Sequence, residues 1–247
     1  MLKKHIPNFL TCCNLVCGML AIVNIGHGNI VSAVVYVLVA LLFDFLDGYA
    51  ARQLNVQSAI GKDLDSLADM VTFGAVPGLL MLYQFKYQHG FNSSMVGYMA
   101  LSIPVFSALR LAKFNNDVRQ SNSFIGLPTP ANTIFICALV LIAQAGQTTE
   151  SLFFIPSENF VADLFIKSSS HVFNNKLIFS FCCGLMSCLM VAEIPLFALK
   201  FKNFRWVDNK IRYIFLVISL VLAIWLFIVA VPLIIFLYIL LSVINRK

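Results

Sequence analysis

Residues 43–52, FDFLDGYAAR, close an apolar run that begins at Ile30 and reads IVSAVVYVLVALL. Asp44 and Asp47 interrupt that run just before its only cation, Arg52. The stretch 61–70, GKDLDSLADM, adds Asp63, Asp65 and Asp69, so five of the chain's eleven acidic residues fall within 26 positions. A carboxylate at the centre of a membrane helix costs about 2.5–3.5 kcal/mol on insertion scales. So dense a cluster needs a physical reason.

The surroundings are those of a membrane protein. The 247 residues are 60% hydrophobic and 11% charged, with a mean hydropathy of +0.88. A soluble domain carries about 25% charged residues, so an all-α polytopic membrane helix bundle is expected. Apolar windows of about 20 residues predict spans near 9–28, 30–51, 65–85, 95–112, 130–146 and 177–199, with a last apolar block at 213–244. That block would form a helix of about 48 Å, too long for one crossing. Pro232 offers a break, so two short helices and about eight spans are expected, six plus one long kinked helix being the alternative. The expected organisation is a membrane domain over 1–204 and a C-terminal transmembrane hairpin over 205–247. The polar stretch 147–176 receives no role.

Charge placement supports that count. With the N-terminus in the cytoplasm, eight spans leave fourteen cations inside: Lys3, Lys4, Arg52, Lys62, Arg110, Lys113, Arg119, Lys200, Lys202, Arg205, Lys210, Arg212, Arg246 and Lys247. Only Lys86, Lys167 and Lys176 fall outside, as the positive-inside rule requires. The net charge of +6 then faces anionic headgroups, and basic residues at helix ends do not suggest nucleic acid. The N-terminal KKHIPNFLTCCNLVCGM looks like the start of a signal peptide, but no A-x-A-like site follows, so a retained segment is expected. The seven cysteines lie in apolar helices without metal-ligand spacing and read as small buried packing residues. The four histidines are scattered and carry no assigned chemistry.

Asp44 and Asp47 are three apart and Asp65 and Asp69 four apart, so each pair shares a helix face. Residues 53–62, QLNVQSAIGK, form a polar connection in which Gly61 suits a turn. Both pairs therefore lie near the cytoplasmic ends of adjacent antiparallel helices, where four carboxylates can converge. Against Arg52 and Lys62, the five acids of 44–69 leave a local charge of −3. One or two divalent cations would balance it, and all-oxygen ligands select Mg²⁺ or Mn²⁺ over zinc or copper. Asp63 reads as a solvated interfacial acid. A cation or proton transporter is the rival from another class, but a transport site belongs at the midplane rather than at one end. Packing alone does not explain four carboxylates without matching cations.

The series Asp44-x2-Asp47-Gly48-x2-Ala51-Arg52-x8-Gly61-x3-Asp65-x3-Asp69 matches every position of the CDP-alcohol phosphotransferase signature, and the chain resembles that family. The resemblance implies a six-helix membrane core, a two-metal site and displacement of CMP from a CDP-activated donor by an alcohol. It implies that Asp44, Asp47 and Asp65 are metal ligands and that Asp69 is both ligand and general base. Small residues at Gly48 and Ala51 would let a nucleotide approach the helix, and Arg52 would pair with phosphate.

Four further stretches resemble the phosphatidylserine synthase branch. They are PNFLTCCN, with Asn8, Thr11 and Asn14 on one helical face; SALRLAKFN, with Arg110 and Lys113; FIGLPTPAN, with Gly126 and Pro128; and LMVAEIPLFALKFKNF, ending a sixth span. Ala192 departs from the serine expected there. By this resemblance Asn8, Thr11, Asn14, Asp44, Asp47, Gly48, Ala51, Arg52 and Gly61 bind CDP-diacylglycerol, while Arg110, Lys113, Gly126 and Pro128 are weaker candidates for binding serine. The implied reaction joins CDP-diacylglycerol and L-serine into phosphatidylserine and CMP, in a prokaryotic plasma membrane, with the site facing the cytoplasm and the enzyme a possible homodimer. A glycerol 3-phosphate or inositol acceptor is the alternative within the family.

Overall fold

A computed structural model of the chain describes residues 5–56, 58–90, 95–117, 124–145, 160–197 and 206–244. The structure is helical, as expected. The one strand pairing among the described residues joins two-residue β1 (Phe124–Ile125) and β2 (Pro195–Leu196), antiparallel. Two compact units divide the chain, 1–112 and 113–247.

In the first unit, α1 (Ile6–Gly26) and α2 (Ile30–Gln53) form an antiparallel hairpin. Pro7 sits in the first turn of α1, where no backbone donor is needed. Its buried positions Pro7, Thr11, Asn14, Gly18, Ala21 and Ile25 recur every three or four residues, forming one helical stripe that carries polar groups at its N-terminal end. The next span is a 31-residue helical run, Ala59–His89. It comprises α3 (Ala59–Asp69), a π-helical turn (Met70–Ala75) and α4 (Val76–His89). Pro77 removes a donor and crowds the carbonyl four residues back, which is where the widened turn lies. Such turns concentrate at functional sites.

The span thus begins at Ala59, six residues before the expected 65. Gly61 is correspondingly not a connector turn but the third residue of α3, donating its N–H to the Ser58 cap at 3.0 Å. After a 3₁₀ stretch, Met95–Leu101, comes α5 (Ser102–Asn116). Small residues bring it against α4. A Cβ on Gly97 would meet Phe85, one on Gly78 would meet Pro104 Cδ at 2.6 Å, and one on Gly74 would meet Ser107 Cβ at 3.1 Å. Gly74 and Gly78 form the Gly-x3-Gly spacing that lets membrane helices approach closely. The last two contacts set the start of α5 antiparallel beside Gly74 and Gly78.

In the second unit, α6 (Thr129–Ala145) is buried continuously from Phe135 to Ala143 and forms the centre. Gly126, with φ +77, precedes it in a conformation that side chains rarely adopt. Its N–H reaches Ile194 O at 3.0 Å, fastening the loop to the segment after α8. α7 (Phe160–Asn174) is a helix within the stretch that received no role. Its inward residues Val161, Ala162, Phe165 and Ile166 pack on Ala138, Ile142 and the 226–230 turn. Hydropathy windows miss it because only one face is apolar. α8 (Lys176–Val191) follows at 98°. The expected span 177–199 therefore ends early. Pro195 disfavours helix at the residue before it, and Pro195–Leu196 pairs with β1 instead.

The last block folds back on itself. α9 (Trp206–Leu226) and α10 (Ala230–Ile244) are joined through Phe227 at φ +49, and the rings of Phe215 and Tyr238 lie 5.7 Å apart. The two expected helices are present, but the break lies at 226–229 rather than at Pro232. That proline stands in the first turn of α10, where its missing N–H costs nothing.

By length and apolarity alone, five helices can cross a membrane, or six if the bent α7–α8 pair is one span, against the expected eight. Two features account for the difference. Thr129–Ala145 is short at 17 residues, and 209–244 counts once despite its reversal. Of the seven cysteines, all free, Cys17, Cys137 and Cys183 are buried as expected, whereas Cys12 and Cys188 are exposed. Gln57, Lys3, Lys4, Arg119, Lys200, Lys202, Arg205, Arg246, Lys247 and the 204/205 boundary lie outside the described residues.

Candidate active site

The acidic cluster forms where α1, α2 and α3 meet. Helical spacing puts Asp44 and Asp47 on the inner face of α2, and Asp65 one turn before Asp69 on α3. Carboxylate oxygens of Asp44, Asp47 and Asp65 all lie within 4.8 Å of one another. Asp65 Oδ1 is buried without a hydrogen-bond partner. Three hard oxygen donors, one of them an orphaned buried acceptor, fit a hard divalent cation. Asp69 stands outside this trio. Asp63 is exposed, in keeping with a solvated acid.

The polar stripe of α1 supplies the partners. The Thr11 hydroxyl lies 2.7 Å from Asp47 Oδ2 and 3.0 Å from Pro7 O, and its single proton can serve one of them at a time. One turn on, Asn14 Nδ2 donates to Asp69 Oδ1 at 3.4 Å. The face-sharing expected of Asn8, Thr11 and Asn14 is therefore present, with each contacting the α2–α3 region. Gly18 completes the fit, since a side chain there would strike Thr72 of the π-helical turn. Thr72 Oγ1 in turn donates to Asn14 O at 3.3 Å. The turn after Asp69 and the residue facing Asp69 thus hold each other in place.

A cavity of about 450 Å³ opens beside the trio. Asn8, Thr11, Asp47, Gly48, Ala51, Gly61 and Asp65 are among its walls, whereas Asn14, Asp44 and Arg52 are not. Ser58 and Lys62 also line it and were not expected. The signal available for Ser58 was its position three residues before Gly61, a cap spacing. At Gly61 a Cβ would lie 3.0 Å from Ser58 Oγ and 3.1 Å from Asn8 Oδ1. Close approach of cavity-lining groups, rather than a turn, excludes a side chain. The Arg52 guanidinium lies over Gly48, 3.4 Å from where a Cβ would be, next to Asp47. Of the weaker candidates, Arg110 is buried in the first unit at 6% exposure and Lys113 is exposed. Gly126 and Pro128 belong to the second unit, in the loop fastened to the end of α8.

A family model described as CDP-alcohol phosphatidyltransferase matches residues 4–162, more than half of the chain. The chain belongs to the CDP-alcohol phosphatidyltransferase family. Several relatives carry the name CDP-diacylglycerol–serine O-phosphatidyltransferase. That of Bacillus subtilis (strain 168) is 41% identical over 127 residues, covering 51% of this chain and 70% of that protein. The Helicobacter pylori (strain J99) protein is 32% identical, covering 87% of this chain and 93% of its own length. The Methanocaldococcus jannaschii protein is 28% identical, with coverages of 85% and 94%. The match begins before α1 and includes both acid-bearing helices, so the carboxylate trio and cavity lie wholly within the phosphatidyltransferase region.

Proposed function

We infer that this phosphatidyltransferase moves the phosphatidyl group of CDP-diacylglycerol to the hydroxyl of L-serine, giving phosphatidylserine and CMP. One observation carries the reading: three of the four signature acids, Asp44, Asp47 and Asp65, converge to within 4.8 Å beside a cavity lined by Gly48, Ala51 and Gly61. Relatives named for that reaction and covering most of this chain support the choice of donor and acceptor.

Asp44, Asp47, Asp65 and Asp69 would hold Mg²⁺ or Mn²⁺ in a two-metal site. When bound, the metals supply charge neutralisation of the donor pyrophosphate and of the leaving oxygen. Asn8, Thr11, Asn14, Gly48, Ala51, Arg52 and Gly61 receive the donor, Arg52 as a phosphate partner. Asp69 takes the proton of the serine hydroxyl as that oxygen attacks the phosphorus bearing diacylglycerol, and CMP leaves. Its hydrogen bond from Asn14 orients the carboxylate while leaving lone pairs for that proton. The serine carboxylate needs a cation not used by the donor. Arg110, buried in the second half of α5, is the first candidate, with Lys113, Gly126 and Pro128 as weaker ones.

The acid-bearing helix ends face the cytoplasm of a prokaryotic plasma membrane in this reading, because the expected cation asymmetry lies on their side. The enzyme is proposed as a homodimer, with 1–204 as the transferase domain and 205–247 as an appended transmembrane hairpin. The test is CMP release by purified protein given CDP-diacylglycerol and, in separate arms, serine, glycerol 3-phosphate or inositol. Release that depends on serine alone is expected. Release with another acceptor alone would move the chain to another branch of the family.

A further inference from the structure

The α7–α8 bend carries a shallow, open pocket of about 320 Å³ lined by Lys167, Ser168, His171, Val172 and Ile178. Lys167 and His171 stand on the side of α7 away from the residues that pack on Ala138, Ile142 and the α9–α10 turn. The pocket's chemistry is lopsided. One wall is a lysine, a hydroxyl and an imidazole at i, i+1 and i+4, and the other is the first turn of α8. The N–H groups of that turn are already capped, Asn175 Oδ1 accepting from Leu177 N at 2.9 Å and Ile178 N at 3.3 Å, so the side chains of α7 supply the polar groups. Lys176 is exposed at the bend, and α8 contains no acid. Asp163, one turn before Lys167, does not line the cavity.

The rim is apolar and uncovered. Leu164 is 51% exposed, Leu177 81% and Phe181 69%. A helix with one packed face, a cationic outer edge and exposed apolar residues beside it is built like a segment that lies in a membrane interface. Charge placement in the sequence agrees. Of the three cations that the expected topology leaves outside, two are Lys167 and Lys176, both at this bend. The third, Lys86, is already engaged by Tyr98, whose hydroxyl lies 3.3 Å and whose ring centroid lies 4.7 Å from its ammonium. Lys167 and His171 have no side-chain hydrogen bond or ion pair among the described residues.

We propose that the α7–α8 bend is a binding site for an anionic phospholipid: Lys167, Ser168 and His171 hold the headgroup phosphate, and Leu164, Leu177 and Phe181 contact the acyl chains. The site is separate from the carboxylate trio in sequence and chemistry. It takes a lipid that carries net negative charge, and it does not depend on which acceptor the transferase uses.

The test is native mass spectrometry of the full chain, released from neutral detergent and titrated with phosphatidylglycerol, phosphatidylcholine or inorganic phosphate. The wild type should retain phosphatidylglycerol in preference to phosphatidylcholine. Lys167→Ala should weaken retention about fivefold, the usual contribution of one basic residue at an anionic surface, and Lys167→Ala/His171→Ala should weaken it further. Lys86→Ala should change nothing and Lys167→Arg should preserve binding. The altered side chains at 167 and 171 are exposed, so elution on gel filtration should match the wild type. Equal retention by the wild type and the double variant would overturn the proposal, as would an equal loss in Lys86→Ala. Displacement of the lipid by millimolar phosphate would show a simple anion site and overturn the assignment to lipid.

Discussion

Two glycines on the same continuous helical run should respond to alanine in opposite ways, and the contrast tests the cavity reading. At Gly78 the new methyl would stand 2.6 Å from Pro104 Cδ and 3.2 Å from the Ala100 carbonyl. Ordinary contact begins near 3.4 Å, so a rigid ring must retreat by about 0.8 Å along with its helix. Overpacking of this kind costs about 1–3 kcal/mol, against a gain of about 1 kcal/mol for replacing glycine in a helix. Gly78→Ala should therefore lose up to about 2 kcal/mol of stability. At Gly61 the neighbours are two side-chain tips, Ser58 Oγ at 3.0 Å and Asn8 Oδ1 at 3.1 Å. Rotating them costs about 0.5–1.5 kcal/mol, which the helix gain of about 1 kcal/mol largely offsets. Both tips line the donor cavity, however, and losing one hydrogen bond to a charged ligand costs about 1.5–3 kcal/mol. Gly61→Ala should thus melt within a few degrees of the wild type in detergent yet raise the CDP-diacylglycerol requirement at least tenfold. An unchanged donor requirement in a folded Gly61→Ala enzyme would refute the assignment of this cavity to the donor.

The remaining expectations concern charge and orientation. Asp44→Asn, Asp47→Asn and Asp65→Asn should each lower CMP release by orders of magnitude with normal expression, and EDTA should abolish activity until Mg²⁺ or Mn²⁺ is restored; full activity in chelator would exclude the metal reading. Asp69→Asn should lose turnover by about 10²–10⁴-fold as a general base does but keep Mg²⁺-dependent donor binding that Asp44→Asn loses, and equal loss of binding would make Asp69 a ligand first. Arg110→Ala should raise the serine requirement far more than the donor requirement, whereas equal effects would indicate a shared phosphate or packing role. Cysteine labelling in a thiol-free background should find Asn116 cytoplasmic and Asn174 outside, both being exposed, and a tag after Lys247 reporting cytoplasmic would support eight spans.

The parts of this molecule legible in the sequence were those governed by local spacing. Helix periodicity placed Asp44 with Asp47 and Asp65 with Asp69, and hydropathy found α1, α2 and the last two helices because their apolar runs are unbroken. What escaped depends on contacts between distant residues. Gly61 looked like a turn because glycine usually marks one, but its reason is the approach of Asn8 from another helix. The π-helical turn at Met70–Ala75 left only Pro77 as a trace. Gly74 and Gly78 carried a recognisable packing spacing that hydropathy windows do not score. α7 was invisible for the opposite reason, its polar face masking an apolar one that becomes evident only against Ala138 and Ile142.

The same contacts explain how four acids can share one corner without identical roles. Four equivalent carboxylates would each need a cation or a proton. α1 removes that equivalence: Thr11 reaches Asp47 within the trio, while Asn14 reaches Asp69 outside it. Asn14 is itself held by Thr72 of the widened turn, and Thr72 can approach only because residue 18 has no side chain. The π-helical turn follows Asp69 directly, and its own Gly74 meets Ser107 of α5, so the element that holds Asn14 also seats α5. Widening at Pro77 is then part of the site's construction rather than a local irregularity in a membrane helix.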